Sequence, residues 1–218
     1  MMNPFVKFTT FFLSLLVASS IAATQGFSSE PVEEGAWYYL PEPLVEVKAG
    51  YFNFSDSKLR KIYDKGGLDM QLCASYPLRY MNQWVLNAYG AVEFFQRSGT
   101  SLNGDQKTSL WSIPINLGIK PVYTISPNMQ YYFAIGPRYF YIHQHNSSPY
   151  VYRNRSGNGL GFFANTGFHR MLDDGLMIDV FAEYSYGKVR FQGGRPAVYT
   201  TSMQIGGVTL GAGLGYEF

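Results

Sequence analysis

The chain has 218 residues, enough for one domain, and a formal net charge of only +2, which gives no reason to expect a nucleic-acid partner. Charged residues make up 15% and aromatics 17%, whereas soluble domains carry about 25% charge, and 23 glycines with 11 prolines argue against long helices. No apolar run approaches the ~20 residues of a spanning helix, so residence in a membrane would require a closed barrel, because lipid leaves no backbone polar group unsatisfied.

The first element is expected to be removed. Lys7 precedes an apolar stretch from Phe8 to Ala18, and Ser20-Ile21-Ala22 offers a small-x-small cleavage site. Residues 1–23 therefore read as a secretory signal peptide. Residues 24–43 follow as an acidic periplasmic linker, with Glu30, Glu33, Glu34 and Glu42 punctuated by Pro31, Pro41 and Pro43. Cys73 is the single cysteine, so no intramolecular disulfide can form, and it is expected as a buried thiol without chemistry.

Residues 44–218 then read as eight strands in which apolar and small or polar residues alternate. In 44–54, Val45, Val47, Ala49 and Tyr51 share one parity, against Glu46, Lys48 and Gly50. In 68–78, Leu68, Met70, Leu72, Ala74 and Tyr76 oppose Asp69, Gln71, Cys73 and Ser75. The segment 83–96 sets Trp84, Leu86, Ala88, Val92 and Phe94 against Asn87 and Glu93. The cleanest alternation is 109–120, with Trp111, Ile113, Ile115, Leu117 and Ile119 opposite Ser112, Pro114, Asn116, Gly118 and Lys120. The pattern continues through 129–143, 159–169 and 176–187. It closes on "VTLGAGLGYEF", where Val208, Leu210, Ala212, Leu214, Tyr216 and Phe218 oppose glycines, Thr209 and Glu217. The parity of this last strand slips near Gly206-Gly207, which predicts a bulge.

The connections alternate in length. Short turns are expected at 79–82, 121–128 and 171–175, and long polar loops at 55–67, 97–108, 144–158 and 188–199. Outer-membrane barrels show this rhythm, with short periplasmic turns and longer extracellular loops. Aromatic residues collect at both ends of the strands, as two belts would require. A soluble eight-stranded barrel would also alternate, but its polar face should be rich in Lys and Glu. Here that face is mostly Gly, Ser and Asn, which suits a confined interior, so the apolar face is expected to meet lipid.

The charges segregate on the same reading. The outer loops hold eleven basic residues, among them Lys58, Arg60, Lys61, Lys65, Arg153, Arg155, Arg190 and Arg195, against three acidic ones, a net of +8. The interior face holds Lys48, Lys120 and Arg138 against Glu46, Asp69, Glu93, Asp179, Glu183 and Glu217, a net of −3. Buried charges persist only when paired, so a lumen-filling network is expected, with a selectivity ring or gate as the alternative. The basic loops suit either the phosphates of surrounding outer-membrane lipid or an anionic surface glycan. His143 and His145, with Ser147 after them, invite a lipid-enzyme reading, but no acid lies near them in sequence, and a neighbouring strand would have to supply one to orient the histidine. Two ligands also make a poor metal site, so no metal, cofactor or catalytic residue is assigned.

The signal peptide, eight alternating strands and the terminal "GAGLGYEF" resemble the OmpA/OmpX-like outer-membrane β-barrel family. That resemblance implies an all-β, eight-stranded antiparallel up-and-down transmembrane barrel in the bacterial outer membrane. Phe218, with Tyr216 two before it, looks like the family's assembly signal, read by the barrel assembly machinery. Members include envelope stabilisers, adhesins, narrow pores and lipid enzymes. The expectation for this chain is a non-enzymatic structural or surface-interaction protein, with a narrow pore as the alternative and a lipid-modifying enzyme as a lesser one.

Overall fold

A computed structural model describes residues 42–100, 106–147, 153–191 and 201–218. The expected signal peptide lies outside these residues, as do the linker apart from Glu42 and Pro43, and the loop residue Arg195. Eight strands follow in chain order: β1 (Leu44–Phe54), β2 (Gly66–Met81), β3 (Trp84–Thr100), β4 (Lys107–Ser126), β5 (Met129–Asn146), β6 (Asn154–Met171), β7 (Leu176–Phe191) and β8 (Thr201–Glu217). Each pairs antiparallel with the next, and β8 returns to β1, from Leu44 opposite Glu217 to Phe54 opposite Gly207. The ring has no free edge, which is the condition for placing strands in lipid.

Alternation decides which side chains face out. Leu160 is 71% exposed, Leu117 63% and Leu214 60%, while Glu46, Lys48, Asn116, Lys120 and Asp179 are at most 1% exposed. In water such a surface would be unfavourable across the whole wall. In lipid it is the expected one, and no charge stands on the outward face between the two aromatic belts. The lower belt includes Trp84 against Tyr123, with ring centroids 4.9 Å apart, and Tyr216 against Phe218 at 5.1 Å. The upper belt includes Trp111 against Tyr141 at 5.5 Å and Phe162 against Tyr186 at 5.8 Å. Twelve residues of β4 separate Trp111 from Tyr123. At ~3.3 Å per residue and a tilt of roughly 40°, the belts stand about 30 Å apart along the axis, close to a hydrocarbon core.

Three features depart from the sequence reading. First, the strands are longer than their apolar stretches. β4 and β5 meet at a two-residue turn, Pro127-Asn128, where a segment from 121 was expected, and Arg97, Lys107, Arg155, Lys188 and Arg190 stand on strand extensions where loops were expected. Alternation ends where lipid ends, but backbone pairing continues into water. Second, there is no bulge at Gly206-Gly207. The register of β8 on β7 runs unbroken from Thr201 opposite Phe191 to Tyr216 opposite Leu176. Gly206 holds φ +140, which side-chain-bearing residues rarely adopt, and a Cβ there would lie 2.2 Å from the Ser185 carbonyl oxygen. Irregular register occurs instead at Pro77/Arg79 and Thr124/Ser126.

Third, the interior changes character with height. Its lower part holds the buried charges, interleaved with small apolar clusters such as Val122, Tyr132 and Phe181, but its upper end is apolar. Phe52, Phe54, Phe95, Leu110, Phe140, Ile142, Val189, Phe191 and Ile205 form one buried cluster there. This explains the false slip in β8: Ile205 keeps the inward parity and is greasy because the lumen at that level is greasy. A short helix, α1 (Ser57–Ile62), sits in the first outer connection. The Asp56 carboxylate caps it by accepting from the amides of Lys58 and Leu59 at 2.8 and 3.0 Å. Leu59 and Tyr63 turn inward and complete the cluster. Gln144 donates to the Tyr63 hydroxyl at 3.1 Å. Phe52, Phe54 and Phe95 stack edge to face, with centroids 4.9 to 5.5 Å apart.

Candidate functional site

Along β1 the inward positions read Glu46, Lys48, Gly50, Phe52 and Phe54 from the periplasmic end upward. The first two anchor a lower layer of charge. Lys48 Nζ lies 2.7 Å from Asp179 and 3.1 Å from Glu46, and Lys120 Nζ lies 2.7 Å from the other oxygen of Glu46. Lys48 also donates to the Tyr132 hydroxyl at 3.0 Å, and that hydroxyl donates to Asp179 at 3.1 Å. Both ammonium groups lie over the Tyr132 ring, 4.9 and 4.4 Å from its centroid. The glycine lane of β8 makes room for these long side chains. A Cβ on Gly213 would sit 2.8 Å from Lys48 Cγ, and one on Gly215 would sit 3.2 Å from Glu46 Cγ.

A second layer runs round most of the lumen above it. Arg138 grips Glu93 with both terminal nitrogens, at 2.9 and 2.6 Å, and reaches Glu183 at 2.5 Å. Asn116 donates to Glu93 at 2.6 Å and Asn165 to Glu183 at 3.1 Å. Gln71 donates to Asp69 at 2.9 Å. Six adjacent strands, β2 to β7, thus supply one polar collar. It contains three carboxylates and one guanidinium.

These contacts divide the nine interior charges expected from sequence. Glu46, Lys48, Lys120 and Asp179 meet in the lower layer. Glu93, Arg138 and Glu183 meet in the collar, with Asp69 beside Gln71. Glu217 stands apart at the periplasmic rim, where its carboxylate accepts from the Glu42 amide at 2.8 Å. The sequence reading named no role for Tyr132, Asn116, Asn165 or His169, although all four carry the inward parity. His169 Nε2 lies 3.4 Å from Glu46 and 3.7 Å from Asp179. These three residues could together ligate a metal, but Lys48 and Lys120 already bring the positive charge that a metal would supply.

Of the outer basic residues, Lys58, Arg60 and Lys61 lie on α1, and Lys65 follows it in a turn at φ 68. Arg97 is tied down, with 3.3 Å contacts to the Tyr63 carbonyl and to Asp64. Arg155 points inward and lies over the Phe191 ring at 5.3 Å. Among the described residues of this end there are ten basic side chains and two carboxylates, Asp56 and Asp64. The first of these is held by the helix cap and the second by Arg97.

The histidine pair is organised differently from the sequence reading. His143 Nδ1 is 2.9 Å from the Ser156 hydroxyl across the β5–β6 pair, and His145 Nδ1 is 2.6 Å from Asn154 Oδ1. Ser147 is not the partner of either. Among the described residues no carboxylate is bonded to either histidine, whereas a nucleophile's base is usually oriented by such a third group.

No protein-family model matches the chain, and no curated protein does. Solved structures do. Outer membrane protein OprG from Pseudomonas aeruginosa superposes with a TM-score of 0.53 at 15% identity, covering 82% of this chain and 96% of its own. AlkL, solved in DMPC bilayers, gives 0.52 at 12% identity, covering 88% and 97%. Ail, the attachment invasion locus protein of Yersinia pestis, in complex with the heparin analogue sucrose octasulfate, gives 0.50 at 15% identity, covering 81% and 99%. At such identities the likeness speaks for the fold. Together with the closed ring and the uncharged apolar belt, it makes the chain an eight-stranded outer-membrane β-barrel of the OmpA/OmpX-like fold.

Proposed function

We propose that this barrel is a closed, non-enzymatic structural and surface-interaction protein whose basic outer end engages an anionic partner. The observation that carries the reading is the filled lumen. Two ion-pair layers and an apolar cluster succeed one another along the axis, and α1 inserts Leu59 and Tyr63 at the mouth. An eight-stranded ring is only wide enough for such side chains. Function then belongs to the outer surface, where basic side chains outnumber carboxylates ten to two among the described residues. Sulfated or phosphorylated surface glycans have the matching chemistry. That Ail is described with a sulfated sugar supports the idea that this fold can present such a site.

The test has two arms. Refolded protein in planar bilayers is expected to give no steady conductance. The same protein is expected to bind heparin-agarose and to elute with salt, while replacement of Lys58, Arg60 and Lys61 by glutamine shifts elution to lower salt. Steady wild-type channels would replace this reading with that of a narrow pore. Passage through the column without retention would remove the glycan as partner.

A further inference from the structure

On the outward lane of β7, two residues stand directly above the aromatic belt. Tyr184 and Tyr186 belong to the belt, and Lys188 and Arg190 follow on the same face. Lys188 is flanked by Leu160 on β6 and Gln204 on β8, and Arg190 by Asn158 and Ser202. No carboxylate stands among these neighbours. Neither Lys188 nor Arg190 forms an ion pair with another described residue. Both are exposed, with their stems rising from the level at which hydrocarbon gives way to headgroups. A strand advances about 7 Å over two residues, so these two long side chains are rooted close enough for both to reach one phosphate. Leu160 stands beside Lys188, and Phe162 and Tyr184 below it continue an exposed apolar strip that an acyl chain can follow.

Among the described residues the rim of β3 and β4 carries no such pair. The corresponding rim positions on β3 and β4 are Gln96, Ser98 and Ser109, with Lys107 as a single charge beyond them. We infer that the β6–β8 flank carries a lateral site for a phosphorylated glycolipid of the outer leaflet, with its phosphate on Lys188 and Arg190 and an acyl chain against Leu160 and Phe162. Two cations with neutral hydrogen-bonding neighbours are suited to a phosphate monoester. The apolar strip beneath them selects a lipid over the free anion. The site lies on the outer wall, so it is independent of whether the lumen conducts or the mouth binds a glycan.

Native mass spectrometry of the detergent-refolded barrel, titrated with diphosphorylated lipid A and with its dephosphorylated form, tests the inference. Wild type is expected to retain the phosphorylated lipid at least tenfold more tightly. Lys188→Gln with Arg190→Gln is expected to lose that preference, and Lys107→Gln to keep it. Inorganic phosphate at equal concentration is expected not to displace the lipid. Equal retention of the two lipids by wild type would overturn the inference, and this comparison needs no variant to fold. An unchanged preference in the heat-modifiable double variant would also overturn it. Displacement by inorganic phosphate would show an anion site in place of a lipid site.

Discussion

Arg138 is the single cation of the collar, and replacing it with alanine tests whether ion pairing holds the lumen closed. The side chain makes three short charge-assisted hydrogen bonds, two to Glu93 and one to Glu183, and is 3% exposed. Removing it leaves Glu93, Glu183 and Asp69 facing one another with no counter-charge. Truncating one partner of a buried pair costs about 3–5 kcal/mol. Water entering the vacated space would solvate the carboxylates and move the value toward the lower end. A loss of ~3 kcal/mol already lowers the folded-to-unfolded ratio by roughly a hundredfold, since 1.4 kcal/mol is a factor of ten. Reversible urea unfolding in phosphatidylcholine vesicles, followed by tryptophan fluorescence, measures this directly. Arg138→Met combined with Glu93→Gln and Glu183→Gln should recover most of the loss, because it removes the stranded charge together with its partner. A loss below about 1 kcal/mol for Arg138→Ala would refute the reasoning, because it would mean that the acids find their counter-charge elsewhere.

Asp69→Asn should leave stability unchanged or raise it by on the order of 1 kcal/mol in the same assay, because it removes a surplus like charge from the collar; a large loss would show that Asp69 is needed as an anion. Ile115→Arg places a cation on the lipid face near mid-height and should cost roughly 2–4 kcal/mol. Asn116→Ala, one residue away but inward, should cost about 1–2 kcal/mol through its lost bond to Glu93; the reverse ranking would invert the assignment of faces. Deletion of Phe218 removes the ring that packs edge to face against Tyr216 at the periplasmic belt. It should reduce the heat-modifiable, membrane-inserted fraction in cells, and normal insertion would dismiss the terminal aromatic as an assembly signal.

The strands were legible because lipid and lumen impose opposite chemistry on alternate residues, so Ile115 and Asn116 declare their sides without any coordinates. The boundary residues were not, because that contrast fades above the belt. At Ile205 an apolar residue points inward, and at Lys188 a charged one points outward, so a reading tuned to lipid took the change of solvent for a bulge. The helix α1 was hidden for a different reason. Six residues carry too little periodicity to register, and only the Asp56 cap marks its start. The pairing of interior charges was equally out of reach. Glu46 and Lys120 are 74 positions apart, and their 2.7 Å contact spans the lumen between β1 and β4, which only the curvature of the ring brings face to face. The glycines of β8 could have hinted at it, since a lane without side chains implies bulky neighbours opposite.

The reversal of the wall at the outer belt has a mechanical consequence. Below it the barrel is stable only with oil outside, and above it only with water outside. Sliding the molecule by one residue pair toward the periplasm would drag Lys188 into hydrocarbon, and sliding it outward would lift Tyr184 and Leu160 into water. Both displacements are penalised, so the bilayer acts on this barrel as a detent with one resting depth. The upper segment also carries its own oily filling, so its hairpins can stay zipped once they reach the outside.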